Sequence, residues 1–407
     1  MSKITESKKL TACLISGGSM IKILDFGQHS YADTFIAENQ LNLSEPVFPL
    51  EVYLNSVSGG IQLGYVSDAE DRYNLYAYSY TSSNSKTARD HWDEYASTIK
   101  SKYNTAGLVV EIGSNDGYLI GQFNQNGTKA LGVDTSKEMC KIANDKNIET
   151  INALFGTDVG AAIEIANGPA SVIMANNVFN HSNDPVGFAR AVADLLAEDG
   201  VFVFEVPYWG WMVTNGKFPD MVYHEHPTYF TIKSAQNLLA KAGLTIADYD
   251  LVNYHGQSLR IVAKHGNEVT DKVKYAIEQE TTTGLFDLTF YQLLQTQLEQ
   301  QRNAWLADFY ELKYNNPDAV VIGVGAAAKA NTWLNFYGLN KTVIKCITDA
   351  SEFKQGKYTP LSRIPIASDD EFAEYSNPYA LILSWNIAEP LKQALLKINP
   401  NTRFISQ

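Results

Sequence analysis

The sequence predicts an α/β protein built around two strand–turn–helix units. In the first unit, the apolar run 107–112 ends in a glycine-rich bend, and a helix-like segment follows. A second apolar run, 130–133, ends in Asp134, about twenty residues beyond that bend. In the second unit, the run 319–324 meets another glycine bend, and Asp349 ends the next strand. A strand, a glycine turn, a helix and a strand ending in an acid are typical of nucleoside-binding sites.

The first bend has the pattern Glu111-x-Gly113-x-Asn115-x-Gly117 instead of the dinucleotide pattern G-x-G-x-x-G. Glycine lets the backbone approach a ligand closely, and Asp134 can accept hydrogen bonds from ribose hydroxyls. With its acid two residues before the first glycine, the pattern resembles the S-adenosylmethionine (SAM) site of class I methyltransferases. That resemblance places Glu111 near the methionine ammonium of the cofactor and Asp134 on its ribose. An ordinary strand–turn–helix of an α/β protein is the alternative.

Length and composition limit the classes of protein. A chain of 407 residues is too long for a single core, so two or three domains are expected. The net charge, 32 − 45 = −13, argues against nucleic acid or an anionic membrane as a partner. No apolar stretch reaches the roughly 18 residues that span a bilayer, and the N-terminus does not resemble a signal peptide. Three widely spaced cysteines, Cys13, Cys140 and Cys346, favour a reduced, cytoplasmic setting.

Apolar and polar patterning divides the chain into five predicted parts. They are short strands and turns over 1–66, a Tyr- and Ser-rich segment with a helix over 67–104, a cofactor domain with a doubly wound sheet over 105–267, connecting helices over 268–315, and a second Rossmann-like domain over 316–407. The Tyr- and Ser-rich segment either packs between domains or forms a wall of the substrate pocket. Asn176 and Asn177 follow the apolar run 171–174, so we expect them at the carboxyl edge of a strand, where ligands bind.

A loop rich in histidine carries the candidate chemistry. Tyr223, His224, Glu225 and His226 are consecutive and follow the strand that ends at Val206. In an extended loop both histidine rings would point the same way, but a metal would still lack a third ligand, so we predict no metal. Histidine titrates near neutrality, and a carboxylate and a phenol beside it can tune and orient it. The loop therefore predicts acid–base catalysis.

Five motifs in a fixed order extend this interpretation over nearly the whole chain. They are E-x-G-x-N-D-G at 111–117, N-V-F-x-H at 177–181, Y-H-E-H-x-x-Y-F at 223–230, H-G-x-S-L-R at 255–260 and G-x-G-A-x-A-K at 323–329. This series resembles the SAM-dependent sugar C-methyltransferases, which methylate nucleotide-linked 4-keto-deoxysugars at carbon 3. The resemblance implies that a base removes the proton beside a ketone, that the enolate oxygen is stabilised, and that the carbanion takes the methyl group of SAM.

The resemblance also implies catalytic roles for individual residues. His226 would be the base, and Glu225 would orient it or bind a sugar hydroxyl. Tyr223 and Tyr80 would donate hydrogen bonds to the developing enolate. His181, at the edge of a strand, would be a second group that handles protons. A buried tyrosine or histidine can also merely satisfy its own hydrogen bonds, which is the alternative for each residue.

Five further residues are candidates for binding the anionic substrate. Lys329 and Asn331, in the second glycine turn, would contact the nucleotide diphosphate, because backbone amides at a helix start attract phosphate. The glycine turn could equally serve close packing alone. Arg260 is a second cationic candidate, and Tyr78 and His224 are candidates for the wall of the pocket.

Phrases near the N-terminus, including residues 23–28, resemble the zinc module of the same family. In that family two C-x-x-C pairs bind zinc tetrahedrally. The matching positions here are Cys13, Ser16, Asn55 and Ser58. One thiolate and three neutral groups cannot hold a structural zinc, so we predict a module that keeps its shape without the metal. What replaces the roughly 10 kcal/mol or more that zinc supplies to such modules is not visible in the sequence.

Together these features predict a cytoplasmic SAM-dependent C-methyltransferase acting on a nucleotide-linked keto-deoxysugar. Two alternatives remain open. One is an O- or N-methyltransferase of a sugar, which would need no enolising base. The other is a non-catalytic protein that binds SAM or a nucleotide sugar, because three of four zinc positions have been lost.

Overall fold

The computed structural model describes most of the chain. The described residues are 7–68, 81–83, 85–124, 128–216, 219–254 and 256–405. They form an N-terminal β module, a central α/β domain, a helical connection and a C-terminal α/β domain. Among the described residues, no helix combines the length and the hydropathy needed to cross a membrane.

The N-terminal module is a small antiparallel β structure. Its strands are β1 (Ser7–Lys9), β2 (Ile21–His29), β3 (Phe48–Asn55), β4 (Gly60–Leu63) and β5 (Tyr65–Ser67). Strands β2, β3 and β4 pair in that order, and β1 pairs with β5. Along β3 the apolar residues Leu50, Val52 and Leu54 are buried and alternate with partly exposed residues, as expected for a strand with one face on a core.

The central domain contains seven α-helices and eight strands within the described residues. The helices are α1 (Lys86–Lys102), α2 (Tyr118–Gly121), α3 (Lys137–Asp145), α4 (Thr157–Asn167), α5 (Pro185–Leu195), α6 (Trp209–Thr214) and α7 (Ile232–Ala240). The strands are β6 (Leu108–Ile112), β7 (Lys129–Asp134), β8 (Thr150–Asn152), β9 (Ala170–Met174), β10 (Leu196–Pro207), β11 (Thr228–Tyr229), β12 (Leu244–Val252) and β13 (Ser258–His265).

Seven of these strands form one sheet in the order β12-β13-β10-β9-β6-β7-β8, and β13 runs antiparallel to the other six. The chain goes from β6 outward to β8 and returns to β9 on the other side of β6. This reversal creates a crevice at the carboxyl ends of β6 and β9, where open α/β sheets bind their ligands. Every residue of β6 is buried, as expected for a central parallel strand, and Glu111 is its one charged residue. The predicted class I methyltransferase sheet is confirmed.

Two helices connect this domain to the C-terminal domain. They are α8 (Asp271–Thr282) and α9 (Leu288–Asn315), and their N-caps, Thr270 and Asp287, accept hydrogen bonds from the first turn of each helix. The C-terminal domain comprises β14 (Val321–Val324), α10 (Ala328–Tyr337), β15 (Cys346–Thr348), β16 (Ile366–Ala367), β17 (Tyr379–Ile382), α11 (Ala388–Ile398) and β18 (Arg403–Ile405). Its five strands are parallel in the order β16-β15-β14-β17-β18, a second Rossmann-like sheet.

The N-terminal module contacts both α/β domains. Strand β11, which follows the histidine loop, pairs with β4, so the loop is attached to the module. The segment between β2 and β3 lies against the C-terminal domain through a backbone pairing of Ile36 with Tyr358 and an ion pair of Glu45 with Arg363 (2.9 Å). These contacts bring the N-terminal segment to the edge of the crevice.

Candidate active site

A cavity of about 790 Å³ begins at the carboxyl ends of β6, β7 and β9 and extends to the C-terminal domain. Three parts of the molecule line this cavity: the N-terminal module, the central domain and the C-terminal domain. The lining includes Glu111, Gly113, Asn115, Asp134, Asn176, Asn177 and His181 from the central sheet, Tyr223, Glu225 and His226 from the histidine loop, Asp33 and Thr34 from the N-terminal module, and Ala327, Ala328, Lys329, Asp349, Ser351, Lys354 and Asn386 from the C-terminal domain.

The turn after β6 has a backbone conformation that requires glycine at position 113. Gly113 has φ of 72°, and a Cβ atom there would lie 2.2 Å from Cγ2 of Val178. Asn115 is also left-handed (φ 52°) and lines the cavity. Gly117 starts α2 with φ of 79°, but it does not line the cavity, and a Cβ there would press on Ala143. The structure therefore assigns Gly117 to helix–helix packing and not to the cofactor contact expected from the sequence.

Two acids are held at the floor of this turn by backbone amides. Asp134 accepts hydrogen bonds from the amides of Asn115 (2.8 Å) and Ser136 (2.8 Å). Glu111 accepts one from the amide of Ile120 (2.9 Å). Burial raises the pKa of both carboxyl groups above their usual range. Each carboxylate keeps further lone pairs for a ligand, so the pair fits the ribose hydroxyls and the ammonium group of SAM.

Asn176 and Asn177 follow the end of β9 and form the wall of the cavity on the far side of the crevice. The side-chain oxygen of Asn176 accepts a hydrogen bond from the amide of Glu205 (3.0 Å). The amide of Asn177, a left-handed residue with φ of 53°, donates to the carbonyl of Glu205 (2.7 Å). Both asparagines line the cavity, at the strand edge expected from the sequence.

The histidine loop folds as a tight turn and is not extended. The amide of His226 donates to the carbonyl of Tyr223 (3.0 Å), and the two rings lie 4.0 Å apart. The His226 ring is also 4.7 Å from that of His181 and nearly perpendicular to it. His224, by contrast, is buried against Phe48 of the N-terminal module (5.4 Å between rings) and does not line the cavity. The turn separates the two histidines, which corrects the expectation that both rings point the same way and that His224 forms the wall of the pocket.

Electrostatics inside the loop favour a protonated phenol. Burial raises the pKa of Tyr223, and the nearby Glu225 carboxylate raises it further. A phenol that stays protonated can donate a hydrogen bond to an oxyanion. Glu225 is itself oriented by the N-terminal module, because its Oε1 accepts a hydrogen bond from the amide of Asp33 (2.9 Å).

Asp33 is a cavity residue that the sequence did not single out as a site residue. Burial raises the pKa of its carboxyl group to about 6, against the opposing charge of Lys354. Asp33 belongs to the N-terminal module, which the sequence analysis identified only as a whole. The contact with Glu225, 192 positions away, arises from the docking of that module.

The C-terminal end of the cavity is formed by the start of α10 and the loop after β17. Lys329 donates to the side-chain oxygen of Asn386, and its ammonium lies 5.1 Å from the centre of the Trp385 ring. Burial lowers the pKa of Lys329, and Asp220 opposes this shift. The indole of Trp385 donates to Asp220 (2.6 Å), which connects this loop to the segment that leads into the histidine loop.

Two predicted substrate contacts lie away from the cavity. Asn331 is fully buried, and its amide donates to the carbonyl of Ala32 (2.5 Å), so it joins the C-terminal domain to the N-terminal module. Arg260 is buried and donates to Glu205 (2.5 Å). Neither lines the cavity, because each side chain is engaged in a buried contact between elements. Tyr78 and Tyr80 lie outside the described residues.

Arg260 belongs to a buried charged cluster that the sequence did not reveal. Glu205, which is fully buried, accepts from Arg260 and also pairs with the ring of His91 (2.8 Å). The His91 ring stacks on Tyr254 (3.8 Å between centroids), and the guanidinium lies over Tyr95. The backbone of Glu205 also binds Asn176 and Asn177. The buried cluster therefore helps to fix these two cavity residues in place.

The four positions matched to zinc ligands come together beside the N-terminal sheet. The hydroxyl of Ser58 donates to Asn55 Oδ1 (2.8 Å) and lies 3.5 Å from the sulfur of Cys13. Ser16 accepts from the amide of Gly18 (3.2 Å). Within the described ranges, no group of three or more His, Cys, Asp and Glu side chains could hold a metal ion. Neutral hydrogen bonds therefore occupy this position in the fold.

Comparison with known proteins agrees with this architecture. A family model described as "C-methyltransferase C-terminal domain" matches residues 253–406, and one described as "Methyltransferase domain" matches residues 88–249. The C-methyltransferase NovU of Streptomyces niveus is 30% identical over 389 residues, which cover 94% of this chain and 91% of that protein.

Solved structures of methyltransferases also match a part of the chain. Magnesium protoporphyrin IX methyltransferase from Synechocystis PCC 6803, with bound S-adenosylhomocysteine (SAH), is 16% identical, with a TM-score of 0.34, and the match covers 44% of this chain and 83% of that one. The CcbJ methyltransferase from Streptomyces caelestis is 13% identical, with a TM-score of 0.34 and coverage of 43% and 90%. The family models and the full-length relative, together with the sheet described above, establish that the chain belongs to the SAM-dependent C-methyltransferases.

Proposed function

We propose that the protein methylates a carbon atom beside the keto group of a nucleotide-linked deoxysugar. The observation that carries the proposal is that His226, His181 and Tyr223 lie together in a cavity shared by two nucleoside-type turns. A saturated carbon atom must lose a proton before it can attack a methyl group, and a neighbouring carbonyl makes the C–H bond acidic enough for a side-chain base to remove that proton. A base and an oxyanion donor at one position are what that step requires.

The cofactor SAM supplies an electrophilic methyl group, and Glu111, Asn115 and Asp134 are the residues that would hold it. Gly113 lines the cavity and packs against Val178 with no space for a side chain, so this turn presents only its backbone to a ligand.

His226 takes the proton from the carbon beside the ketone, and the C–H electron pair moves into the new enolate. Tyr223 donates a hydrogen bond to the enolate oxygen, where the negative charge develops. The enolate carbon would then form its bond to the methyl group as the bond between that group and the sulfur of SAM breaks, which would leave SAH and restore the ketone. His181, whose ring lies 4.7 Å from that of His226, provides a route by which the proton leaves. Glu225, fixed by the amide of Asp33, orients the base or accepts a hydrogen bond from a sugar hydroxyl.

The other end of the cavity suits the diphosphate of a nucleotide sugar. Ala327, the N-cap of α10, and Ala328, its first residue, line the cavity, and a helix start favours negative charge. Lys329 adds a cation at the same place. The overall charge of −13 would repel such a substrate, so a local cationic end is needed to bind it.

Mass spectrometry with SAM and a panel of nucleotide-linked 4-keto-deoxysugars tests the proposal. Reactions in deuterated water would report both methyl transfer and proton exchange at the carbon beside the ketone. His226→Ala is compared with the wild type and with His265→Ala, a matched control whose ring binds the carbonyl of Leu196, away from the cavity. We expect methyl transfer and exchange in the wild type and the control, and neither in His226→Ala.

The other outcomes identify the alternatives. Methyl transfer without exchange in any of the proteins would contradict the proposal and indicate an oxygen or nitrogen acceptor. SAM binding without transfer or exchange on any keto sugar would indicate a binding protein. Tyr223→Phe keeps the ring and removes only the donor, so we expect its rate of transfer to fall by about 100-fold or more.

A further inference from the structure

The cofactor turn of the central domain has a specific backbone pattern. The amide of Gly113, at the end of β6, donates to the carbonyl of Val133 (2.7 Å). The next residue is Asp134. One of its carboxylate oxygens accepts a hydrogen bond from the amide of Asn115 (2.8 Å), and the other accepts one from the amide of Ser136, two residues further on (2.8 Å). The glycine turn and the acid are thereby locked together, with the carboxylate at the cavity wall.

The C-terminal domain repeats this pattern at the opposite end of the cavity. The amide of Gly325, after β14, donates to the carbonyl of Thr348 (2.7 Å). The next residue is Asp349. One of its carboxylate oxygens accepts a hydrogen bond from the amide of Ala326 (2.8 Å), and the other accepts one from the amide of Ser351, again two residues further on (2.9 Å). In the backbone contacts to the acid, the two turns differ in that the amide from the glycine turn comes one residue after Gly325 but two residues after Gly113.

Both glycines are also in close contact with the strand across the switch point of their sheet. A Cβ atom on Gly113 would lie 2.2 Å from Val178, which follows β9. One on Gly325 would lie 2.1 Å from the hydroxyl of Ser384, which follows β17. In each sheet the acid therefore lies beside the crevice where nucleosides bind.

Asp349 has the capacity to bind a further donor. Each of its oxygens receives one backbone N–H, and a carboxylate oxygen has two lone pairs, so acceptor sites remain. Its side chain is 17% exposed and lines the cavity. A carboxylate held in this way after the second strand is the group that accepts hydrogen bonds from ribose hydroxyls.

A lysine distinguishes the C-terminal turn from the cofactor turn. Lys354 donates to the carbonyl of Ala326 (2.8 Å), and its ammonium lies 3.9 Å from Asp349. In the part of the chain that the structure describes, Asp134 has no such ion pair. Lys329 stands at the start of the helix that follows the C-terminal turn, so two cations accompany the second acid. This combination suits a nucleoside that carries a diphosphate.

We propose that Asp349 accepts a hydrogen bond from a ribose hydroxyl of the nucleotide portion of the substrate and so selects nucleotides that carry that hydroxyl. The inference rests on the proposed function for the existence of a nucleotide-linked substrate. It adds the orientation: the ribose lies at Asp349, the diphosphate lies beside Lys329 and Lys354, and the sugar extends to His226. Asp134 holds the ribose of SAM from the opposite end.

Calorimetric titration with uridine diphosphate, thymidine diphosphate and 2′,3′-dideoxythymidine diphosphate tests this inference. The last two differ only in the 3′-hydroxyl. We expect the wild type to bind thymidine diphosphate about tenfold or more tightly than the dideoxy analogue, because a hydrogen bond to a charged group is lost. Asp349→Asn should bind uridine and thymidine diphosphates about tenfold more weakly and should lose the discrimination, with SAH affinity unchanged. Asp134→Asn is the matched control, with weakened SAH binding and intact discrimination.

Three results would overturn the inference. They are equal binding of the two thymidine compounds by the wild type, discrimination that survives in Asp349→Asn, and no binding of any nucleoside diphosphate. Unchanged SAH affinity in Asp349→Asn shows that the variant is folded. If methyl transfer to a keto sugar is observed in the separate assay, any of these three results would overturn the inference about Asp349 but leave the proposed function intact. Hydroxyl-dependent binding without proton exchange on any keto sugar would retain the subsite and overturn the proposed function.

Discussion

Replacement of Asn55 by alanine tests what stabilises the N-terminal module where zinc ligands would be expected. The side chain of Asn55 is 7% exposed and makes three hydrogen bonds. Its Oδ1 accepts from the amide of Ser58 (2.8 Å) and from the Ser58 hydroxyl (2.8 Å), and its Nδ2 donates to the carbonyl of Ser19 (2.7 Å). These bonds join the end of β3 to the loop before β2, the segments that carry positions matched in the sequence analysis to zinc ligands.

The expected loss follows from these three bonds. Each contributes about 1 kcal/mol net, so Asn55→Ala should destabilise the module by about 3 kcal/mol, with part of the loss due to unsatisfied groups at Ser58 and Ser19. This is well below the roughly 10 kcal/mol that a structural zinc supplies. The remainder has to come from packing, and the apolar residues of β3 share a buried cluster with residues of α6 and α9.

Native-state hydrogen exchange of β3 and β4 is the appropriate measurement, because a chain with several domains need not unfold in one step. We expect the free energy of local opening of these strands to fall by about 3 kcal/mol in Asn55→Ala. Asn316→Ala is the control, since that exposed side chain makes a single hydrogen bond to Leu312, and it should change stability by less than about 0.5 kcal/mol. Equal exchange in the two variants would refute the argument.

Three further predictions concern the cavity. The pKa of Asp33 is raised to about 6 in the folded protein, so the folded state holds this proton more tightly than the unfolded chain does. Protonated Asp33 therefore contributes its full stability below pH about 4, and that stability is lost as the pH rises through 6. Asp33→Asn should therefore exceed the wild type in stability at pH 7 by up to about 3 kcal/mol and match it near pH 4, and thermal unfolding showing a pH-independent difference would contradict this. Gly113→Ala should weaken SAH binding about tenfold in calorimetry, because the new Cβ meets Val178 at a left-handed residue, and unchanged affinity would count against the backbone cradle. Trp385→Phe removes the indole bond to Asp220 and should lower kcat with SAH affinity unchanged, whereas an equal loss in both would indicate general disorder.

Much of the cofactor half of the site could be predicted from local sequence. The strand β6, the left-handed Gly113 and the acid Asp134 lie within about twenty residues, and their arrangement follows from chain geometry in an α/β unit. The same logic applies to Gly325 and Asp349. Sequence patterns of this kind report on backbone hydrogen bonds that are made between neighbouring elements.

Side chains that act over long sequence distances could not be predicted in this way. Arg260 and Asn331 looked like substrate contacts by type and position, yet Glu205 and the carbonyl of Ala32 engage them in the folded chain. Whether a buried cation or amide faces a ligand depends on which polar group lies opposite, because an unpaired group is costly inside a protein.

The sequence by itself determined the two Rossmann-like sheets, their glycine turns and acids, and the identity of the histidine loop, since all of these arise from contacts within or between consecutive elements. Only the tertiary structure decided that His226 and not His224 lines the cavity, and that Asp33 from the N-terminal module orients Glu225 across 192 residues. The reason is physical: a tight turn separates the two histidines, and the docking of a distant module sets the surroundings of the histidine loop.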